Sequence, residues 1–167
     1  MIAAEAALES PLWGESLRAD PEREPVFSPL LADERHAVGL ETIYEGYLLH
    51  YGRPRLFAPA DRDTALLLGD YLYAHGLVHV AETGDVAAVS DLAELISLCS
   101  QARADGRDGD GAAWAATASS LGAGGLELAR SALREKGDSS LLDASARTAA
   151  GNEAVESALA AHARLVG

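Results

Sequence analysis

Apolar residues recur along this chain at intervals of three and four, the spacing of one face of an α-helix. In ADERHAVGLETIYEGYLLHYG the residues Val38, Leu40, Ile43, Tyr47, Leu48 and Tyr51 make a broad apolar face. Asp33 stands where an N-cap belongs, and Gly52 and Pro54 close the run. The next run, DTALLLGDYLYAHGLVHVAETG, has Asp63 as its predicted cap and Gly84 as its stop. It is apolar on nearly every side, which predicts a central, buried helix. DVAAVSDLAELISLCSQARA follows, capped by Asp85, with Val86, Val89, Leu92, Leu95, Ile96 and Cys99 at helical spacing. After the loop DGRDGDG (105–111) come two more helical runs, AAWAATASSLG and GLELARSALREKG. The remaining stretch reads as one or two helices broken near Gly151 and Asn152. Residues 1–31 differ: behind a short helical AAEAALE stand Pro11, Pro21, Pro25 and Pro29, which predict an irregular arm. The expectation is an all-α bundle of six to eight helices forming one domain over residues 32–167.

Composition strengthens that picture. Alanine, leucine and arginine, all strong helix formers, dominate the periodic runs, and β-branched residues are few and scattered. A chain of 167 residues, 49% of them hydrophobic, can bury one real core. Twenty-six acidic against 13 basic side chains give a net charge of -13, a field that repels phosphate polymers and anionic membrane surfaces and favours solubility. No apolar run reaches the roughly 18 residues of a membrane helix, and the N-terminal stretch has no basic segment of the signal-peptide kind. A cytoplasmic protein with no nucleic-acid partner and no membrane span is expected. Cys99 is the only cysteine and lies among Leu95, Ile96 and Leu98, which predicts a small buried thiol and no disulfide.

Three stretches, taken in order, resemble the trans-prenyltransferases, the isoprenoid diphosphate synthases. LETIYEGYLLH, with Glu41, Ile43, Leu48, Leu49 and His50, is similar to the helix that leads into the family's first aspartate-rich motif. ALLLGDYLYAHGLVHVAETGD is similar to its next helix, Gly69 and Asp70 supplying a G-D pair. GAAWAATASSLGA is similar to a later K-T-A-x-L-F-x-x-A-x-x-L-G-A helix, with Gly111 and Ala112 in place of Lys-Thr. The likeness spans roughly residues 38–124 and implies an isoprenoid-synthase-like helical arrangement. The first two helices would then be antiparallel neighbours, with His50 near the N-terminal half of the second.

The same resemblance defines what is missing. Ionising an allylic diphosphate needs Mg²⁺ to neutralise the leaving group, and Mg²⁺ takes oxygen ligands, in this family aspartates. Where D-D-x-x-D would follow His50 the chain reads Tyr51, Gly52, Arg53, Pro54, Arg55. The second aspartate-rich motif has no counterpart either; Asp138 and Asp143 stand apart from any D-D pair. The resemblance is therefore to a shortened member without catalytic metal motifs. It implies a non-catalytic accessory or regulatory subunit, acting without a cofactor by helix–helix association in a homo- or hetero-oligomer. A catalytic prenyl diphosphate synthase is the partner it suggests, and an apolar groove for a prenyl-like ligand is a further option. Small residues on the second helix, Gly69, Ala74 and Gly76, suit a dimer interface.

Other constellations give alternatives. His75, His79 and Glu82 share one helix face at spacings of four and three, where they could bind Zn²⁺ or another metal. That would make the chain a helical metal-binding protein or enzyme; the commoner role of such a pair is structural. Arg53 and Arg55 could hold a phosphate or carboxylate, or simply pair with surface acids. Glu41 and Glu45, one turn apart, could serve as a general acid–base pair, though a solvated face is the commoner role. DGRDGDG lacks the continuing oxygen ligands of a Ca²⁺ loop and reads as a solvated acidic turn. A plain helical interaction module is the remaining alternative.

Overall fold

The computed structural model describes residues 2–166, with side chains from residue 6 onward. Among them are nine α-helices: α1 (Ile2–Glu9), α2 (Pro11–Glu15), α3 (Ala37–Tyr51), α4 (Arg62–Ala81), α5 (Val86–Ala104), α6 (Asp110–Ser119), α7 (Glu127–Lys136), α8 (Ser140–Ala150) and α9 (Asn152–Val166). The architecture is all-α, as the periodicity predicts. The count exceeds eight because the lead-in carries two short helices, the second started by Pro11 behind the cap Ser10.

Local chemistry places most boundaries. Asp85 caps α5 by accepting from the Ala88 N–H (3.0 Å), as expected. The cap of α4 is Asp61, which accepts from the Thr64 N–H at 2.8 Å; Asp63 lies within the first turn instead. Asp33 caps a single 3₁₀ turn, Glu34–His36, that feeds into α3. Gly151, with φ of +87°, separates α8 from α9 in a conformation that side chains rarely adopt.

The centre of the bundle is not α4. Every residue of α6 is buried, and so is every residue of α3 from Gly39 to Leu49. Alanine dominates α6, so its neighbours approach closely on all sides, with Trp114 as the one large side chain. Helix α4 buries a single stripe, Leu68, Gly69, Leu72, Gly76 and Val80. Its opposite face carries Leu67 and Val78, 59% and 54% exposed. All-round apolarity here means one face against α3 and one towards solvent.

Helices α3 and α4 run antiparallel at very short range. A Cβ on Gly76 would lie 2.8 Å from the Gly39 carbonyl oxygen and 2.5 Å from Ile43 Cγ1. One on Gly46 would lie 2.9 Å from the Gly69 oxygen. At the end of α3, His50 packs on Gly69, and its Nε2 stands 3.1 Å from Asp70 Oδ1. His50 thus meets the N-terminal half of α4, the placement anticipated from the sequence. The glycines face inward, however. Gly69 and Gly76 serve this contact within the chain and are not available to a dimer partner, while Ala74 is exposed.

The lead-in packs against the bundle. Leu17 pairs with Phe57 in an antiparallel bridge, flanked by Arg18 N–H to Leu56 O (3.0 Å) and Ala58 N–H to Ser16 O (2.7 Å). Val26, Phe27 and Leu30 are buried in the main core. The Phe27 ring stacks on Trp114 (5.6 Å between centroids) and meets Tyr44 edge-on (5.0 Å). Ala6 and Trp13 join a smaller cluster with Leu68 and Leu72. At the other end, Leu142, Ala146, Val155 and Leu165 bring α8 and α9 into the core. Among the described residues no helix is long and apolar enough to cross a membrane.

Candidate functional site

The stretch after His50, where the resembled family carries aspartates, folds back on its own helix. Arg55 is 4% exposed. Its Nη2 donates to Glu41 Oε2 (2.8 Å), its Nε to Glu45 Oε2 (3.2 Å) and its Nη1 to the Glu24 carbonyl (2.8 Å). Its guanidinium carbon also sits 5.2 Å from the centroid of the Tyr44 ring. Glu41 in turn accepts from three consecutive backbone N–H groups, those of Val26, Phe27 and Ser28, each at 2.9 Å. Glu45 accepts from the Leu56 N–H at 2.7 Å. Burial pushes the Glu45 carboxyl above its usual range, against the opposing pull of Arg55 and the Leu56 N–H.

These contacts correct two expectations. Glu41 and Glu45 are not a solvated face: both are buried, because residues far away in sequence supply donors for them. Arg55 holds an anion, but that anion is internal. Arg53 is exposed and paired with Glu22, which it holds below the ordinary carboxylate range through a side-chain hydrogen bond. A cleft of about 550 Å³ does open beside them, between the lead-in and α9, lined by Glu22, Glu24, Arg53, Arg55 and Arg164. Of its guanidinium groups, Arg53 is paired with Glu22 and Arg55 with Glu41 and Glu45, so neither is left free for an added anion. Nor do positions 51–55 fit Mg²⁺: they offer two cations and no carboxylate.

A second buried polar cluster lies at the bundle centre. Asp110, in the first turn of α6, receives the Tyr47 hydroxyl and the Arg103 guanidinium (Nε at 3.1 Å). His162 Nε2 stands 3.4 Å from the same carboxylate, and His162 Nδ1 shares a hydrogen bond of 2.9 Å with the Tyr44 hydroxyl. Arg103 Nε also donates to the Tyr47 hydroxyl (2.9 Å). Burial alone would raise Asp110. The Tyr47 hydroxyl, the His162 ring beside the carboxylate and the Arg103 guanidinium outweigh it and hold this carboxyl well below its usual range. Asp110 is therefore part of α6 and of the core, not of a solvated acidic turn. Sequence reasoning also passed over Tyr44, His162 and Arg103. The available signal was that Asp110 opens a run with no hydrophilic face, so any polar group at its start must be buried.

The Tyr–His–Asp order resembles a relay, but Tyr44, Tyr47 and His162 are 0%, 1% and 4% exposed. Phe27 packs over His162 at 5.6 Å between ring centroids. The cluster fastens α3, α5, α6 and α9 together. It has a pH signature. A folded-state carboxyl held below its unfolded value contributes stability that is present above about pH 4 and lost as pH falls towards the folded value. Asp110→Asn should flatten the fall of stability between about pH 5 and pH 2, and lower stability at neutral pH, in urea titrations at each pH.

His75 and His79 lie on α4 with ring centroids 4.8 Å apart, the edge of one ring towards the face of the other. His75 stacks on Tyr71, and His79 Nδ1 is 4.0 Å from Glu82 Oε2. Among the described residues there is no group of three or more His, Cys, Asp or Glu side chains that could hold a metal ion. Cys99 is fully buried, and burial pushes its thiol well above the usual range, which leaves it inert. Comparison of the chain with protein-family models, with curated proteins and with solved structures finds no match in any of the three.

Proposed function

We propose that this protein is a non-catalytic helical subunit that acts by associating with a catalytic partner. Its sequence resemblance suggests a prenyl diphosphate synthase. The observation that carries this reading is the closed Glu41–Arg55–Glu45 cluster. At the place where the resembled family presents carboxylates to Mg²⁺, this chain presents a guanidinium, and that guanidinium is tied inward. The other reactive groups of the interior, Asp110, His162 and the two tyrosines, likewise fasten helices to one another. Several large apolar side chains stay on the surface: Leu67, Val78, Leu128 and Leu141 are each at least half exposed. Surfaces of that kind suit helix–helix association.

The test has two steps. Tagged protein is recovered from its native cells and co-purifying synthases are identified by mass spectrometry. The purified pair is then assayed with allylic and homoallylic diphosphates and Mg²⁺. The expected result is no product from this chain alone, and a changed rate or product length when it joins the synthase. Chain-lengthened product from this polypeptide alone would refute the reading, as would a synthase whose products are the same with and without it.

A further inference from the structure

The cleft of about 550 Å³ between the lead-in and α9 has the size of a small-molecule site. Val26, Ala160 and Leu165 give it apolar surface. Its walls are tied together through the segment after α3: the Glu22 N–H donates to the Arg55 carbonyl (3.0 Å) and the Arg53 N–H to the Leu165 carbonyl (2.7 Å). Five charged side chains also line the cleft, and three of them are engaged, Arg53 with Glu22 and Arg55 with Glu41 and Glu45. The other two are Glu24, on the lead-in, and Arg164, in the last turn of α9. Both are exposed, and neither side chain has an ion pair or a hydrogen bond among the described residues. One wall therefore offers a carboxylate and the other a guanidinium.

Arg55 adds a third, buried group. Its positive charge is balanced, but its hydrogen-bonding capacity is not used up. One N–H on Nη1 goes to the Glu24 carbonyl, one on Nη2 to Glu41 and the Nε–H to Glu45. The second N–H of each Nη nitrogen has no partner among the described residues. Such donors suit a neutral oxygen, that of an amide above all. Charge narrows the choice further. A net anion would enter against a molecular charge of -13 with one unpaired guanidinium to receive it. A simple cation would gain nothing from Arg164 and be repelled by it. A ligand with one charge of each sign satisfies both walls.

We infer that the cleft between the lead-in and α9 binds a zwitterionic dipeptide with apolar side chains. Arg164 receives its carboxylate, Glu24 its ammonium group, and the spare N–H groups of Arg55 its internal carbonyl. The site stands or falls separately from the subunit association proposed above.

The probe is leucyl-leucine, titrated into the full chain by isothermal calorimetry. Three comparators each lack one feature: N-acetyl-leucyl-leucine the ammonium group, leucyl-leucinamide the carboxylate, and leucine the internal carbonyl. Leucyl-leucine should bind saturably at millimolar concentrations or below, and each comparator at least tenfold more weakly. Two variants at exposed positions, where folding is not at stake, assign the contacts. Arg164→Gln should bind leucyl-leucine and its amide alike, because the carboxylate has lost its partner. Glu24→Gln should bind leucyl-leucine and its N-acetyl form alike. General attraction to a charged surface cannot make one variant blind to the carboxylate and the other blind to the ammonium group. Ala160→Trp narrows the cleft without changing its charge and should abolish binding. The proposal is overturned if leucyl-leucine does not bind, if any comparator binds the wild type as tightly, if either glutamine variant keeps the wild-type discrimination, or if Ala160→Trp binds as the wild type does.

Discussion

Gly76→Leu should destabilise this protein and leave the association of the folded chain as it is. The substituted position lies where α3 and α4 approach most closely, and the obstacle is backbone as well as side chain: the Gly39 carbonyl oxygen would be 2.8 Å from the new Cβ, with Ile43 Cγ1 at 2.5 Å. A flexible side chain can turn aside, but a helix carbonyl moves only with its helix. Overpacking a core commonly costs about 1–3 kcal/mol, and a clash with backbone belongs at or above the upper end. For a chain of this size each kcal/mol lowers the melting temperature by roughly 2–4 °C, so a fall of at least about 6 °C is expected, from a total stability of only about 5–15 kcal/mol. Ala74→Leu, exposed on the same helix, should stay within about 0.5 kcal/mol of the wild type. Calorimetry of both variants checks this. A Gly76→Leu protein with wild-type melting and an altered oligomeric state would return these glycines to an intermolecular interface.

Glu41→Ala is the second large effect. One carboxylate accepts the N–H groups of Val26, Phe27 and Ser28 and pairs with Arg55 at 2.8 Å. The three N–H groups hold the segment that inserts Phe27 among Trp114, Tyr44 and His162. Removing one partner of a buried ion pair typically costs about 3–5 kcal/mol, since the remaining charge and donors stay buried without compensation. Glu41→Gln keeps an acceptor oxygen for the backbone but turns a neutral group towards Arg55, and should fall between wild type and alanine. Urea titration gives the magnitude. Hydrogen exchange gives the location: the amides of residues 26–28 should lose protection before those of α3 and α6. An unchanged urea midpoint for Glu41→Ala would mean that this network does not hold the lead-in.

Both effects depend on residues whose identity was plain in the sequence and whose neighbours were not. The runs that became α3, α5, α7, α8 and α9 were legible because helix periodicity, caps and glycine stops act within one or two turns. Asp85 could be assigned as a cap from the few residues around it. Asp61 and Asp63 were harder to separate because both precede the same run, and only the donor that each can reach decides between them. The candidate chemistry was less legible. Arg53 and Arg55 looked like an anion site because Glu22, Glu41 and Glu45, which occupy them, lie up to about one helix and one loop away in the chain. His75, His79 and Glu82 had metal-site spacing, but spacing sets which helix face they share and leaves their ring orientations open.

By itself the sequence determined that this chain is helical, where most helices start and stop, and that the segment after His50 carries arginines in place of carboxylates. Each of these follows from interactions between residues close together in the chain. The tertiary structure alone decided that α6 and not α4 lies at the centre, and that Gly69 and Gly76 face α3. It also decided that Glu41, Glu45 and Asp110 are buried and that Leu128 and Leu141 stay exposed. These are matters of which helix face meets which, and burial of a polar group depends on a partner that folding brings from far along the chain: Tyr47 for Asp110, and the Val26–Ser28 backbone for Glu41.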